Sequence, residues 1–407
     1  MYNNYFSNSA NCDKIIVISD THLGIDDSFS WISKNRERLV SFLNDVPKIP
    51  NVKEFVINGD LFDEWILPAQ YPIYTDSNEF FRLVAKNNQE VVDSINKIIQ
   101  TGKIKVTYIP GNHDMLFNKE TVDEIFPGIN QARDVLGLGK YRTGYNNNII
   151  IEHGHRYDII NAPNQVSNKF ITGNYPSILP QGYLITRIAT TSVVEGYLTF
   201  SEPDCCDIDQ HDAYLYYKAC DASFGVLPLN EGFDKKEFPI TINGYNGYYS
   251  LADMLPSMKN GEITAYLYPN FQRDWEAIQK INNVKVPIPF CKEMIGIAQE
   301  TSICHKGCET INDVVDDQAC AQYFNLNDCI DIVIFGHTHR AEKIIYNCNG
   351  KNKIYVNSGT WIYGNTDGTT CNFVVINECK DFSSVDVYIY EEDKTITKIS
   401  PKKKYSC

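Results

Sequence analysis

Six of the eight histidines in this 407-residue chain lie in four of five short polar loops, and each of the five follows an apolar run of strand character. The runs at 14–19, 54–58, 104–109, 148–152 and 331–335 lead into Asp20-Thr-His22-Leu-Gly24, Gly59-Asp60-Leu-Phe-Asp63, Pro110-Gly-Asn112-His113-Asp114, His153-Gly-His155 and Gly336-His337-Thr-His339. Between the first three runs, residues 31–43 and 80–100 carry apolar positions at helical spacing, and Gly102 closes the second helix. Strands alternating with helices predict an α/β fold. Ligands of such sheets bind beyond the carboxyl ends of the strands, so the five loops are expected to meet at one site.

Residues 160–325 break this rhythm. They are rich in tyrosine and turns, with helices expected at 183–198 and 271–281, and they read as an inserted cap. Closing strands are expected at 353–356, 372–376 and 385–390. The predicted organisation is a core in two halves, 13–160 and 328–400, around a cap at 161–327.

A net charge of −14 repels the phosphate backbone, so no nucleic-acid partner is expected. The first fourteen residues lack the basic start and apolar run of a secretory signal. The most apolar long segment, 178–198, is interrupted by Gln181, Arg187 and Glu195, so no membrane span is expected. That segment reads as core packing or, through Leu184, Ile188 and Leu198, as a cap helix touching a membrane surface. A cytoplasmic location follows, and in it most of the thirteen cysteines should be reduced thiols. Cys304-His-Lys-Gly-Cys308 offers one close pair of zinc ligands, against the alternative of reduced or locally paired cysteines. The tail Lys402-Lys-Lys404 reads as a solvated end.

Imidazole nitrogen combined with carboxylate and amide oxygen suits Mn, Fe or Zn, whereas Mg and Ca prefer oxygen alone. Asp20 and His22, two residues apart, can face one ion, and His337 and His339 repeat the spacing. Asp60 has two oxygens with which to bridge two ions, and Asn112 adds a neutral donor. Taken singly, each motif is as easily a turn. Taken together, five loops in order imply two divalent metals about 3.5–4 Å apart, holding a bridging hydroxide and clamping a phosphoryl group.

These motifs resemble those of the calcineurin-like metallophosphoesterase superfamily, over about residues 13–160 and 328–390. The resemblance implies a four-layer α-β-β-α sandwich. One metal would take Asp20, His22, Asp60 and His339, and the other Asp60, Asn112, His153 and His337. His113 would donate to the phosphate or leaving group, with Asp63 on its other ring nitrogen. Glu64-Trp65 after Asp63, and Asp114 after His113, depart from the Ser/Thr protein phosphatases, while Gly59-Asp60-Leu-Phe-Asp63-Glu-Trp65 with Asp20-Thr-His22-Leu-Gly24 is more similar to the UDP-diacylglucosamine diphosphatase branch. That branch carries His-Gly-Asp where this chain has His153-Gly-His155. His155 and Arg156 either contact substrate phosphate or pack under the cap. The expected function is metal-dependent phosphoester hydrolysis of a small phosphorylated substrate, phosphatase or phosphodiesterase, selected by the cap. Alternatives are a nucleotide-sugar or lipid diphosphatase, a nuclease, or a non-catalytic scaffold on the same fold.

Overall fold

The computed structural model describes residues 12–67, 77–134, 138–158, 311–365, 368–380, 382–401 and 405–406, together with Asn161, Thr186 and four short strands between 238 and 265. The chain divides into two compact units. The first takes in 12–153 and 329–406, and the second 154–161 with 221–328.

The first unit holds two sheets. Strands β1 (Asp13–Ile18), β2 (Val52–Asn58), β3 (Lys105–Ile109) and β4 (Asn130–Gln131) run parallel. β14 (Asn372–Glu378), β15 (Ser383–Tyr390) and β16 (Ile396–Lys398) extend this sheet antiparallel from β1, giving the order β16-β15-β14-β1-β2-β3-β4. The second sheet has the order β17-β12-β13-β11-β6-β5. It is built from β5 (Lys140–Thr143), β6 (Ile149–Glu152), β11 (Ile332–Phe335), β12 (Glu342–Cys348), β13 (Lys351–Asn357) and β17 (Tyr405–Ser406). Here β6, β11 and β13 are parallel neighbours.

Side chains alternate across a strand, so a sheet covered on both faces reads as one apolar run. Ile15 and Val17 of β1 join Val56, Ile109, Val374, Ile376, Val385 and Val387 against Ile149, Ile151, Ile332, Ile334 and Val356 of the facing sheet. Burying each of these side chains is worth about 1.5–3 kcal/mol. The intervening Ile16 and Ile18 are equally buried. On the outer side, α1 (Arg36–Asp45) covers the first sheet, with the Phe42 ring 4.8 Å from that of Phe373 and 5.4 Å from Tyr390. This is the sandwich expected from the sequence, its two sheets facing each other.

The single helix expected over 80–100 is two, α2 (Ser77–Asn87) and α3 (Gln89–Gln100), with α4 (Lys119–Ile125) following later. Asn88 interrupts the turn at φ −116°, ψ 35°, and its amide donates to the carbonyls of Val84 and Gly24. The break thus ties the helical layer to the first polar loop.

Among the described residues the cysteines depart from the expectation of reduced thiols. Cys12 and Cys379 form a disulfide with Cα atoms 4.5 Å apart, because β1 and β14 pair antiparallel with Asp13 opposite Glu378. Cys320 is in a disulfide, as is Cys348, while Cys329 and Cys371 are free. Paired in this way, Cys320 has no thiolate to give a zinc ion. Cys304 and Cys308, the segment 178–198, the helix at 271–281 and the lysines 402–404 lie outside the described residues.

The second unit contains the hairpins β7 (Phe238–Ile242) with β8 (Tyr245–Tyr249) and β9 (Ser257–Lys259) with β10 (Glu262–Ala265). It also contains a 3-10 turn His155–Tyr157 and α5 (Ile311–Ala319), which runs on into a π-turn Cys320–Phe324. Among the described residues no helix is long and apolar enough to cross a membrane.

Candidate metal centre

The loops after β1, β2 and β3 leave the first sheet side by side, and those after β6 and β11 leave the second in the same way. Backbone hydrogen bonds fuse them. The amides of Thr21 and His22 donate to the Asp60 carbonyl, and the amide of Gly336 donates to that of His153. Asp20 (φ 54°), His22 (47°), Asp60 (52°), His337 (68°) and His339 (57°) all adopt the left-handed conformation that non-glycine residues avoid. Such strain persists only where surrounding structure enforces it, and here it falls on the candidate ligands themselves. Glycine is required beside them. A Cβ on Gly111 would collide with the Asp60 carboxylate and amide, and one on Gly336 would come within 2.6 Å of Asp20 Oδ2.

All seven expected ligands come together. His339 Nε2 lies 3.2 Å from Asp20 Oδ1 and 3.0 Å from His22 Nε2, which is 3.7 Å from Asp60 Oδ2. On the other side of Asp60, His153 Nε2 lies 3.2 Å from Oδ2 and 3.1 Å from Asn112 Oδ1, which is 3.0 Å from His337 Nδ1. Asp20, His22 and His339 form one group able to hold an ion, and Asp60, His153 and His337 another. His153 directs Nδ1 at the Asn58 carbonyl, 2.8 Å away, which leaves Nε2 for the centre.

The electrostatics fit a cation. Asp20 and Asp60 are buried carboxylates, which are costly unless compensated. Burial opposes charge on His153, yet Asp60 and Asp20 push its imidazole up to about 10. The chain alone thus draws a proton into a place where a divalent ion supplies more charge. No such need exists for the neutral donors Asn112 and His22, whose burial holds the His22 imidazole below its usual range despite Asp63.

Asp63 Oδ2 meets His22 Nδ1 at 2.9 Å and His113 Nδ1 at 3.1 Å, while Oδ1 accepts the amides of Trp65 and Ile66. Burial would raise Asp63, but the two imidazoles hold it far below the usual carboxylate range. His113 moves opposite to His22: burial works against protonation, but Asp63 and Asp60 outweigh it and raise the imidazole. Two histidines on one carboxylate thereby have their imidazoles shifted in opposite directions. His113 also falls within reach of a third possible group, with His22 and Asp60.

His155 and Arg156 belong to the second unit, both buried on the turn His155–Tyr157. Several contributors were not singled out from the sequence. Asp114 accepts the amides of Gly111 and Leu61, tying the second loop to the third; its burial beside Asp60 pushes its carboxyl up to about 6. Thr360 Oγ1 and the Trp361 amide both donate to the Asp20 carbonyl. Trp31 lies against His22, with ring centroids 4.5 Å apart. Only the turn-forming preference of Asp114 was visible beforehand.

No curated protein matches the chain. A family model does match, over residues 13–185, and its span takes in the first four loops while ending before Gly336-His337-Thr-His339, which the fold returns to the same place. The model is that of the calcineurin-like phosphoesterases, and it is residues 13–185 of the chain that are similar to that domain.

Proposed function

We propose that this protein hydrolyses small phosphoesters with two divalent cations, Mn, Fe or Zn, under a substrate-selecting cap at 161–327. The observation that carries this reading is the pair of neighbouring donor groups, with Asp60 Oδ2 3.7 Å from His22 of one and 3.2 Å from His153 of the other, and His113 held on Asp63 beside them. Asp20, His22, Asp60 and His339 would hold one ion, and Asp60, Asn112, His153 and His337 the other. Bound there, the ions would lower the pKa of water to supply the attacking oxygen and would neutralise phosphoryl charge. Asp63 holds Nδ1 of His113, so Nε2 is the nitrogen left to donate to the leaving oxygen. Asp60 Oδ1 accepts the His113 amide, which keeps this acid in step with the bridging carboxylate.

The paired cysteines favour an oxidising compartment over the cytoplasm expected from the sequence. The test of function is elemental analysis of purified protein combined with a screen of phosphomonoesters, phosphodiesters and nucleotide-sugars in Mn. Bound transition metal with turnover of one class supports the reading; protein without either sinks it. Arg156→Lys and His155→Ala should raise KM with metals retained if these residues grip phosphate.

A further inference from the structure

Trp65 lies two residues beyond Asp63 and is almost wholly buried. Its indole stacks on the His113 imidazole, with centroids 4.4 Å apart and planes inclined by 25°. The remaining sides of His113 are also fixed. Its amide donates to Asp60, its carbonyl accepts the Glu64 amide, and its Nδ1 meets Asp63. The carboxylate that orients the imidazole also accepts the Trp65 amide, so Asp63 places both rings. An edge contact from His22 at 4.6 Å and a tilted one from Trp31 at 5.7 Å complete the surround.

The ion pair with Asp63 holds one edge of the His113 imidazole at Nδ1 but does not by itself set the tilt of the ring plane. A flat surface against its face sets that tilt. We infer that Trp65 is a positioning residue, setting the plane of His113 so that Nε2 stays aimed at the leaving oxygen. The inference rests on the acid role proposed for His113. Trp31 differs in kind, because it lies closest to His22 and also 5.9 Å from His339, both in the donor cluster.

The experiment compares Trp65→Leu and Trp65→Phe with wild type and His113→Ala, on phenyl phosphate and 4-nitrophenyl phosphate, or on their methyl diesters if wild type prefers diesters. The nitrophenyl group departs without needing a proton, whereas the phenyl group needs one. Trp65→Leu should keep its metals and its KM but lose on the order of ten- to a hundredfold in kcat on the phenyl ester, as small misplacements of a reacting group do. Its loss on the nitrophenyl ester should be much smaller, and Trp65→Phe should recover most of the activity. Independently of turnover, the His113 ring protons in metal-free protein should be shifted upfield by the indole, stay so in Trp65→Phe and move downfield in Trp65→Leu. If the leucine variant does not fold, Trp65→Met takes its place.

Equal losses on both esters, loss of metal together with activity, or a phenylalanine variant no better than leucine would each overturn the inference. If His113→Ala itself fails to distinguish the esters, or wild type turns over neither pair, the parent reading is wrong and the inference falls with it. The ring-proton shifts separate that failure from a failure of the stacking.

Discussion

The two facing sheets bring different chemistry to the centre. The first supplies every carboxylate there, Asp20, Asp60, Asp63 and Asp114, together with Asn112, His22 and His113. Among the described residues the second supplies only imidazoles, His153, His337 and His339. Carboxylates buried on one sheet need positive charge or its equivalent, and the facing sheet offers imidazole nitrogens of a kind that suits a cation. Metal binding, as proposed, would therefore be coupled to the closure of one sheet on the other, and a substitution should have different effects according to the sheet it falls on.

Asp60→Asn probes the acid side and should have the largest effect. Asp60 stands in both proposed ligand sets, so turnover should vanish and metal content collapse, as elemental analysis would register. Full activity in this variant would end the bridging role. His339→Ala, on the imidazole side, touches one group only and should weaken one ion while sparing the other. His113→Ala is on the acid sheet yet outside the two proposed ligand sets. It should retain both metals while losing on the order of 10²–10⁴ in turnover. Loss of both ions from His113→Ala would make His113 a ligand and break the comparison.

Protonation sharpens it further. The His153 imidazole rises from 6.5 in the unfolded chain to about 10 in the fold, through Asp60 and Asp20 on the opposite sheet. In metal-free protein its stabilising proton is fully present below about pH 6.5 and is lost as pH rises through about 10, so thermal stability should fall across that window. A metal must displace this proton, so metal affinity should increase over the same range with protons released on binding. Calorimetric titration in buffers of different ionisation enthalpy measures both. Binding independent of pH would mean that His153 does not face the cation.

Much of this was legible in the sequence because parallel strands covered on both faces leave unbroken apolar runs, such as Ile149–Glu152 and Ile332–Phe335, that stop at the polar loops. The strand Glu342–Cys348 was missed because its residues alternate between buried and partly exposed, with Glu342 and Lys343 at its start. The break at Asn88 was hidden by apolar spacing that continues through it. The left-handed turns at Asp20, His22, Asp60, His337 and His339 have no signal in residue type, since they are imposed by bonds to the neighbouring loops. Trp65 and Asp63 share this character: what they do depends on which imidazole they meet. The pairing of Cys12 with Cys379 was illegible for the same reason, as only strand register brings together residues 367 positions apart.

That disulfide gives the smallest expected effect on chemistry. It joins the start of β1 to the end of β14, whereas Asp20 and His22 follow the other end of β1, so the covalent link and the donors lie at opposite ends of one strand. Cys379→Ser should lower stability by about 2–4 kcal/mol, chiefly by freeing the unfolded chain. It should leave metal content and kcat near those of wild type, because β1 remains paired along its length with both β14 and β2. Denaturant melts with and without bound metal measure the first, and elemental analysis with kinetics the second. A variant that loses stability but keeps its metals places the sheet's fastening apart from its chemistry. One that loses metal in proportion to stability would show the acid-bearing sheet to be held in register from its far end, and the coupling between the sheets would then extend along the whole of β1.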